Sequence, residues 1–473
     1  MPKHAPEDDL LMLSARAQAR LVRERHISSR ELVAAHLERI AAVNPVLNAA
    51  VGVQSESALE DAPAADRELA AGALRGAFHG VPFSIKDSIE QAGTRCTAGT
   101  LGRRNAAPSA ADATLVRRLR NAGAIPIART NLPDLLFAFE SSNLIFGQTN
   151  NPYDTTRTPG GSSGGEAALI AACGSPLGLG SDAAGSVRLP AAFCGIAGLK
   201  PTSGRLPRTG HFPPAGGWIE SLWQIGPMAR RVEDLIEAMR LLTGPDGIDP
   251  TVPDVPFRDP LAVELAGVRV AVFTDNGIAA ADSEVSVVVR RAAAALASAV
   301  RSVGEARPTC LEAAYDLEMK LIGPDGGDGL RAYLCQLGSS EVHPLLTGWL
   351  DKLPPFRTDL AGLAAYWAEL DAYRAEMLRF MREYDAILCP AYIHAALPHG
   401  ESIRDDNFRG FSHTMAFNVA GWPAAVVRCG ESGAGLPIAV QVAAAPWRED
   451  IALRVALWLE EAFGGWKPAP DRD

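Results

Sequence analysis

The chain has 473 residues, 47% of them hydrophobic and 21% charged, with a net charge of −10. This is the composition of an ordinary globular protein, and an acidic balance without long runs of one sign excludes nucleic acid and anionic membrane surfaces as expected partners. No segment supplies the roughly 20 nearly charge-free apolar residues that a bilayer span needs.

The N-terminal stretch places acidic residues ahead of its apolar ones and lacks the uninterrupted apolar run of a secretory leader, so a cytoplasmic location is expected. Seven cysteines (Cys96, Cys173, Cys194, Cys310, Cys335, Cys389 and Cys429) are scattered and never form a C-x-x-C pair. Neither a disulfide framework nor a zinc knuckle follows from that spacing. Cys194 and Cys389 sit in apolar runs and read as inert core thiols.

The first clear element is a helix opening at Ser28, where Ser28 and Glu31 form a capping box and Val33, Leu37 and Ile40 share a face; its end is expected near Asn44-Pro45. Residues 81–86, VPFSIK, alternate as a strand with Val81, Phe83 and Ile85 on one side and Ser84 and Lys86 on the other. A helix over 113–121 behind an Asp112 cap stops at Gly123 and feeds a strand over 124–128. Residues 151–165 are rich in Thr, Ser, Pro and Gly; a helix over 166–173 and a strand over 177–181 follow. Strands alternating with helices predict an α/β fold with a largely parallel or mixed sheet covered on both faces. From about 254 to 380 the pattern turns mostly helical, with a strand over 268–273, helices over 285–300 and 360–384, and a glycine-rich run over 323–329 that reads as a mobile loop because it lacks the Lys-Ser/Thr end of a phosphate loop. Strands over 386–388 and 424–427 return to the main sheet.

Two serine segments carry the chemistry: PGGSSGGE over 159–166 and GSDAAGSVRLP over 180–190. Glycines flank each because a backbone that approaches a substrate has no room for Cβ, and the helix expected after Ser163 directs unpaired N–H groups toward the loop. Breaking an acyl carbon–nitrogen bond takes an activated nucleophile, donors for an oxyanion and a proton for the departing amine. Two serines and one lysine can supply these, provided that the fold buries Lys86 and brings its pKa toward neutrality. Taken singly, each residue has a plainer reading: Lys86 as a solvated strand-end lysine, Ser162 and Ser163 as turn residues, Ser186 as a helix cap. No His, Cys and carboxylate cluster calls for a metal, and no organic cofactor is expected.

GVPFSIKDSI (80–89), FGQTNNP (146–152), PGGSSGGE (159–166), GSDAAGSVRLPAAFCGIAGLKPT (180–202), GPMARRVEDL (226–235) and GLPIAVQV (435–442) together resemble the amidase signature family, in order and spacing. The resemblance implies one amidase domain over 1–473, with a large, mixed, mostly parallel β-sheet between helical layers, a core over about 60–250 and 380–460, and a substrate-shaping, largely helical insertion over about 254–380. It implies a catalytic Lys86, a bridging Ser162 with an unusual cis peptide and an acylated Ser186. Backbone amides of Ala183, Ala184, Gly185 and Ser186 would form the oxyanion hole, with Ser163, Asp182 and Arg188 in support. Many members carry two glycines before the nucleophile, whereas Ala184 precedes Gly185 here, which would narrow the acyl pocket. Leu136, Phe137 and Phe139 fall where fatty-acid amide-cleaving relatives line that pocket; plain core packing is the other reading.

The expected activity is hydrolysis of apolar or aryl amides through an acyl-enzyme, a route that also serves esters, carbamates and urethanes, in a monomer or homodimer. Two alternatives stay open. One is the amidase-like subunit of a glutamine-dependent amidotransferase complex, with the same catalytic residues. The other is a Ser-His-Asp α/β-hydrolase, since Gly160-x-Ser162-x-Gly164 satisfies the nucleophile-elbow pattern and His394, His399 and His413 lie downstream.

Overall fold

The structure, a computed structural model, describes residues 7–214 and 217–470; residues 1–6, on which the leader-free reading partly rests, lie outside the described residues. In chain order the strands are β1 (Ala50–Val53), β2 (Pro82–Lys86), β3 (Ile125–Thr130), β4 (Ser142–Asn143), β5 (Gly147–Gln148), β6 (Leu177–Asp182), β7 (Ala197–Lys200), β8 (Gln224–Ala229), β9 (Arg269–Val272), β10 (Ser302–Glu305), β11 (Ala386–Pro390), β12 (Ala424–Glu431) and β13 (Pro437–Ala444). All but the β4–β5 pair belong to one 11-stranded sheet in the order β1-β3-β2-β6-β8-β7-β12-β13-β11-β9-β10. The sheet is mixed: β3, β2 and β6 run parallel, as do β11, β9 and β10, and antiparallel neighbours join the two groups.

Strand side chains alternate between two apolar layers. Phe83, Ile85, Leu177, Leu179 and Val440 pack with the helices Thr114–Asn121, Val232–Leu242, Ser283–Leu296 and Glu449–Phe463, while Ala128, Val426 and Ala439 face the helices Gly164–Ala171 and Arg188–Phe193. Helices therefore cover both faces, as the α/β alternation predicts.

Local signals largely hold, with physical exceptions. The capping box at Ser28 is formed. The helix it opens, Ser29–Leu47, passes through Pro45 instead of stopping there, because a proline in the last turns removes few hydrogen bonds and the end is closed by left-handed Asn48, whose N–H donates to Asn44 O at 2.8 Å. Asp112 does not cap the helix Thr114–Asn121: its carboxylate accepts from Ala92 N and from Arg120. The region over 254–380 is more than a helical insertion, since β9 and β10, joined through the helix Ser283–Leu296, extend the main sheet, and the run of helices without strands spans only Thr309 to Phe380. In the glycine-rich run over 323–329, Asp325 accepts from the N–H groups of Gly327 and Gly329, both at 2.7 Å, and the helix Asp328–Gln336 starts within it.

Candidate active site

The adjacent parallel strands β2 and β6, paired through Ser84 with Gly178 and Ile85 with Leu179, end side by side at Lys86 and Asp182. Carboxyl ends of parallel strands are where open α/β sheets place their sites, and here they bring a lysine to the segment leading into Ser186. Lys86 is fully buried. Its amine donates to Ser162 Oγ at 2.6 Å and to Ser181 Oγ at 3.1 Å. Burial pushes the amine down to about 7, against the Asp182 and Glu166 carboxylates, which favour its charge. The solvated-lysine reading therefore fails for this residue. A second buried lysine, Lys200, has its nitrogen on Pro201 O at 3.0 Å rather than on a hydroxyl.

Below Lys86 lies Glu166, also fully buried, accepting from Ser84 and from Thr130. Burial raises this carboxyl to about 7. Gly178 leaves the room: a Cβ there would meet Glu166 Oε1 at 1.7 Å.

The Gly161–Ser162 peptide is cis. A Cβ on Gly161 would lie 2.5 Å from Glu140 N and 2.7 Å from Ala138 O, so only glycine lets this loop lie against its neighbour. Ser163 ties the two serine segments together, its N–H donating to Ser186 O at 3.1 Å and its hydroxyl lying 3.3 Å from both Ser181 O and Ser181 N. The first amides of the helix Gly164–Ala171 are already engaged, Gly164 N by Ser141 Oγ and Gly165 N by Asn131 O.

Asp182 organises the loop that follows. Its carboxylate accepts from Gly185 N (2.8 Å), Val187 N (3.1 Å), Asn418 Nδ2 (2.9 Å) and the Arg188 guanidinium (2.9 Å). Burial opposes its charge, yet Arg188 and these donors hold the carboxyl well below the usual range. Arg188, fully buried, also donates to Thr414 O and Gln441 Oε1. Among the described residues, the N–H groups of Ala183, Ala184 and Ser186 have no hydrogen-bond acceptor, whereas Gly185 N is taken by Asp182. Thr414 Oγ1 donates to Ala184 O at 2.7 Å and fixes the turn from outside.

Ser162, Ser181, Ala183, Ala184 and Ser186 open onto one pocket. Leu136, Phe137 and Phe139 line it, as do residues that sequence reasoning missed: His211, Ile219, Trp223, Ile322 and Trp349. Ser181, Glu166, Thr414, Asn418 and Gln441 were also not singled out; Ser181, Glu166 and Gln441 sit within the motif runs, whereas Thr414 and Asn418 lie outside them, and the last three are more than two hundred residues from Ser186, with no local pattern linking them to it. The Ala184 methyl lies on the pocket and packs with Leu135 and Phe139.

No histidine hydrogen-bonds to Ser162 or Ser186 among the described residues. His394 pairs with Asp282, His399 with Thr155 O and His413 with Ala279 O. Cys194 and Cys389 are buried, and burial pushes both thiols up.

The family model for amidase matches residues 31–453. Fatty-acid amide hydrolase 2 of Homo sapiens is 32% identical over 492 residues, covering 97% of this chain and 90% of that protein. A glutamyl-tRNA(Gln) amidotransferase subunit from Thermus thermophilus is 36% identical over 482 residues, covering 95% of this chain and 97% of that protein. The structure of 6-aminohexanoate cyclic dimer hydrolase complexed with substrate superposes with a TM-score of 0.84 at 30% identity, covering 96% of this chain and 97% of that one. The chain belongs to the amidase family, hydrolases acting on amide bonds, and has that family's α/β fold. No helix among the described residues is long and apolar enough to cross a membrane.

Proposed function

We propose that this chain is a free-standing hydrolase of neutral apolar or aryl amides, with Ser186 as nucleophile, Ser162 as proton bridge and Lys86 as base. The observation that carries the reading is the meeting of Lys86 and Ser162 at 2.6 Å in a pocket that also holds Ser186. As Ser186 Oγ attacks the acyl carbon, its proton passes to Ser162 Oγ, whose own proton goes to the neutral amine of Lys86. The oxyanion takes hydrogen bonds from the Ala183, Ala184 and Ser186 amides, with Asp182, Arg188 and Ser163 holding that loop in place. When the tetrahedral species collapses, the proton returns along the same path to the leaving nitrogen, and water then cleaves the acyl-Ser186 ester with the roles repeated. Esters, carbamates and urethanes fit the same steps, and no metal or cofactor enters them.

The pocket favours this reading over delivery of ammonia from glutamine. Glutamine brings an α-carboxylate and an α-ammonium that need charged partners once desolvated. Among the described lining residues the ionisable side chains outside the serine relay are Asp182, committed to Arg188, and His211, which burial pushes down to about 3 and keeps neutral. The test is a screen of the purified single chain on short-chain and aryl amides, anilides, carbamates and glutamine, beside Ser186→Ala. Turnover of the apolar substrates, lost in the variant, is expected; ammonia released from glutamine alone, and only with partner proteins present, would sink the proposal.

A further inference from the structure

One wall of the pocket comes from a part of the chain outside the motif runs. Trp349, on the helix Pro344–Leu350, is 3% exposed and meets Phe137 edge-on, with ring centroids 5.0 Å apart and planes at 67°. Phe408 backs the indole at 6.3 Å, and Leu346, Leu350 and Leu353 complete the packing behind it. Such edge-to-face contacts have a defined geometry, so the pair is a wall of fixed position.

One carboxylate holds both halves of this wall. Asp134 Oδ2 accepts the main-chain N–H of His343 at 3.0 Å, and His343 caps the helix that carries Trp349. Asp134 also opens the turn bearing Leu135, Leu136 and Phe137, where Leu135 and Leu136 have φ of 49° and 69°. Two successive leucines in the left-handed region are costly and persist only where surrounding contacts over-determine them. Leu135 N donates to Ala98 O at 2.9 Å, and the Leu135 side chain is fully buried. Phe137 and Trp349 are thus fastened to each other through Asp134 as well as through their rings.

We propose that the Phe137–Trp349 pair is the end-stop of the acyl pocket and limits this enzyme to amides whose acyl group is a single ring or a short chain. The inference rests on the hydrolase reading above. The pocket as a whole, which must also admit the leaving amine, amounts to about 130 Å³, and a cavity of about 150 Å³ is what benzene fills. A long alkyl acyl group directed past Phe137 would meet the indole, which would separate this chain from the fatty-acid amide specificity in the name of one of its relatives. Opening the wall should lengthen the accepted chain without touching the serines.

The experiment compares wild type, Trp349→Ala, Trp349→Leu and Asp134→Ala on two series: p-nitroanilides of acetic, butyric, hexanoic, decanoic and benzoic acids, and acetamides of amines of increasing size. Wild type is expected to prefer butyryl or benzoyl over decanoyl in kcat/KM. Either Trp349 variant should shift the decanoyl-to-butyryl ratio upward by roughly 10-fold or more, within the range that changes in an apolar pocket produce, and leave the amine series in its original order. Trp349→Leu covers the case in which the alanine variant fails to fold, and Asp134→Ala, which leaves both rings in place, should move the ratio the same way by less. An unchanged ratio in a Trp349 variant whose Ser186 still reacts with phenylmethylsulfonyl fluoride overturns the inference, as does a shift confined to the amine series or a wild type that already cleaves the decanoyl substrate as well as the butyryl one. A wild type inert toward both series overturns the hydrolase reading and this inference with it.

Discussion

The amine of Lys86 lies 2.6 Å from the hydroxyl of Ser162, at the end of a strand whose every residue is buried. A charged ammonium at that distance could only donate to the serine; a neutral amine can accept its proton. Burial brings the amine to about 7, so kcat/KM for an amide should rise with pH and level off above a midpoint near 7. Charging the lysine as pH falls removes the base. A profile flat from about pH 5 to 9 would contradict the assignment, and Lys86→Ala and Ser162→Ala should each lose several orders of magnitude because relay members act as a unit.

The same burial has a stability signature. The pKa of Lys86 falls from 10.5 to about 7 on folding, so between those values the unfolded chain binds the extra proton. The destabilisation is absent above about 10.5, grows as pH falls and is complete below about 7. Lys86→Met should therefore gain on wild type in urea midpoint as pH is lowered from 10 to 6, with no further gain below. Parallel midpoints at all pH values would mean that the lysine is not buried in its charged form.

Leaving groups separate the two jobs of the relay. An alkylamine cannot depart without a proton, whereas p-nitrophenolate can. Lys86→Ala should lose far more activity on a butyryl anilide than on p-nitrophenyl butyrate, and the ratio of the two losses measures proton delivery. Equal losses would confine Lys86 to activating the nucleophile.

Much of this arrangement was legible in the sequence, and the failures have a common cause. The capping box at Ser28, the β2 alternation and the two serine segments are local patterns, and each appears where it was read. What the β2 alternation could not disclose is that its polar face is buried too: Ser84 and Lys86 point into a second layer, where Glu166 and Ser162 receive them. The pocket wall was half visible. Phe137 lies within a run that resembles the family, but Trp349 comes from a helix that reaches it only through long-range contacts, among them the hydrogen bond between Asp134 and His343, 209 positions apart, and the packing of the two rings. Thr414, Asn418 and Gln441 likewise reach Arg188 only through the crossing of the helix Ser412–Val419 and β13.

Arg188 and Asp182 are both fully buried, and each answers the other's charge. Truncating one partner strands the other in a low dielectric, which typically costs about 3–5 kcal/mol. Arg188→Met should lower stability by that order in urea denaturation and reduce turnover, since the Asp182 carboxylate would lose the group that keeps it aimed at Gly185 N. A variant of near wild-type stability would show the pair to be dispensable to the fold.

Gly185 is where the oxyanion loop is least tolerant. Its φ is +126°, and a Cβ built there would lie 2.3 Å from Thr414 Oγ1 and 2.7 Å from Thr414 Cβ. The neighbouring Thr414 hydroxyl is itself engaged, donating to Ala184 O, so it cannot turn aside without releasing the loop. Gly185→Ala should move the Ala184 and Ser186 amides off the oxyanion and lower kcat by at least about 10²–10³, the cost of losing even one such donor, with a smaller change in KM because the apolar walls are untouched. Thr414→Ala alone should cost less, since it frees the loop without displacing it. Combining the two should not restore activity: the Thr414 Cβ still obstructs, and an alanine at +126° is strained whatever space it is given. Full rescue in the double variant would show that the hydroxyl contact, rather than the backbone conformation, is the reason for glycine here.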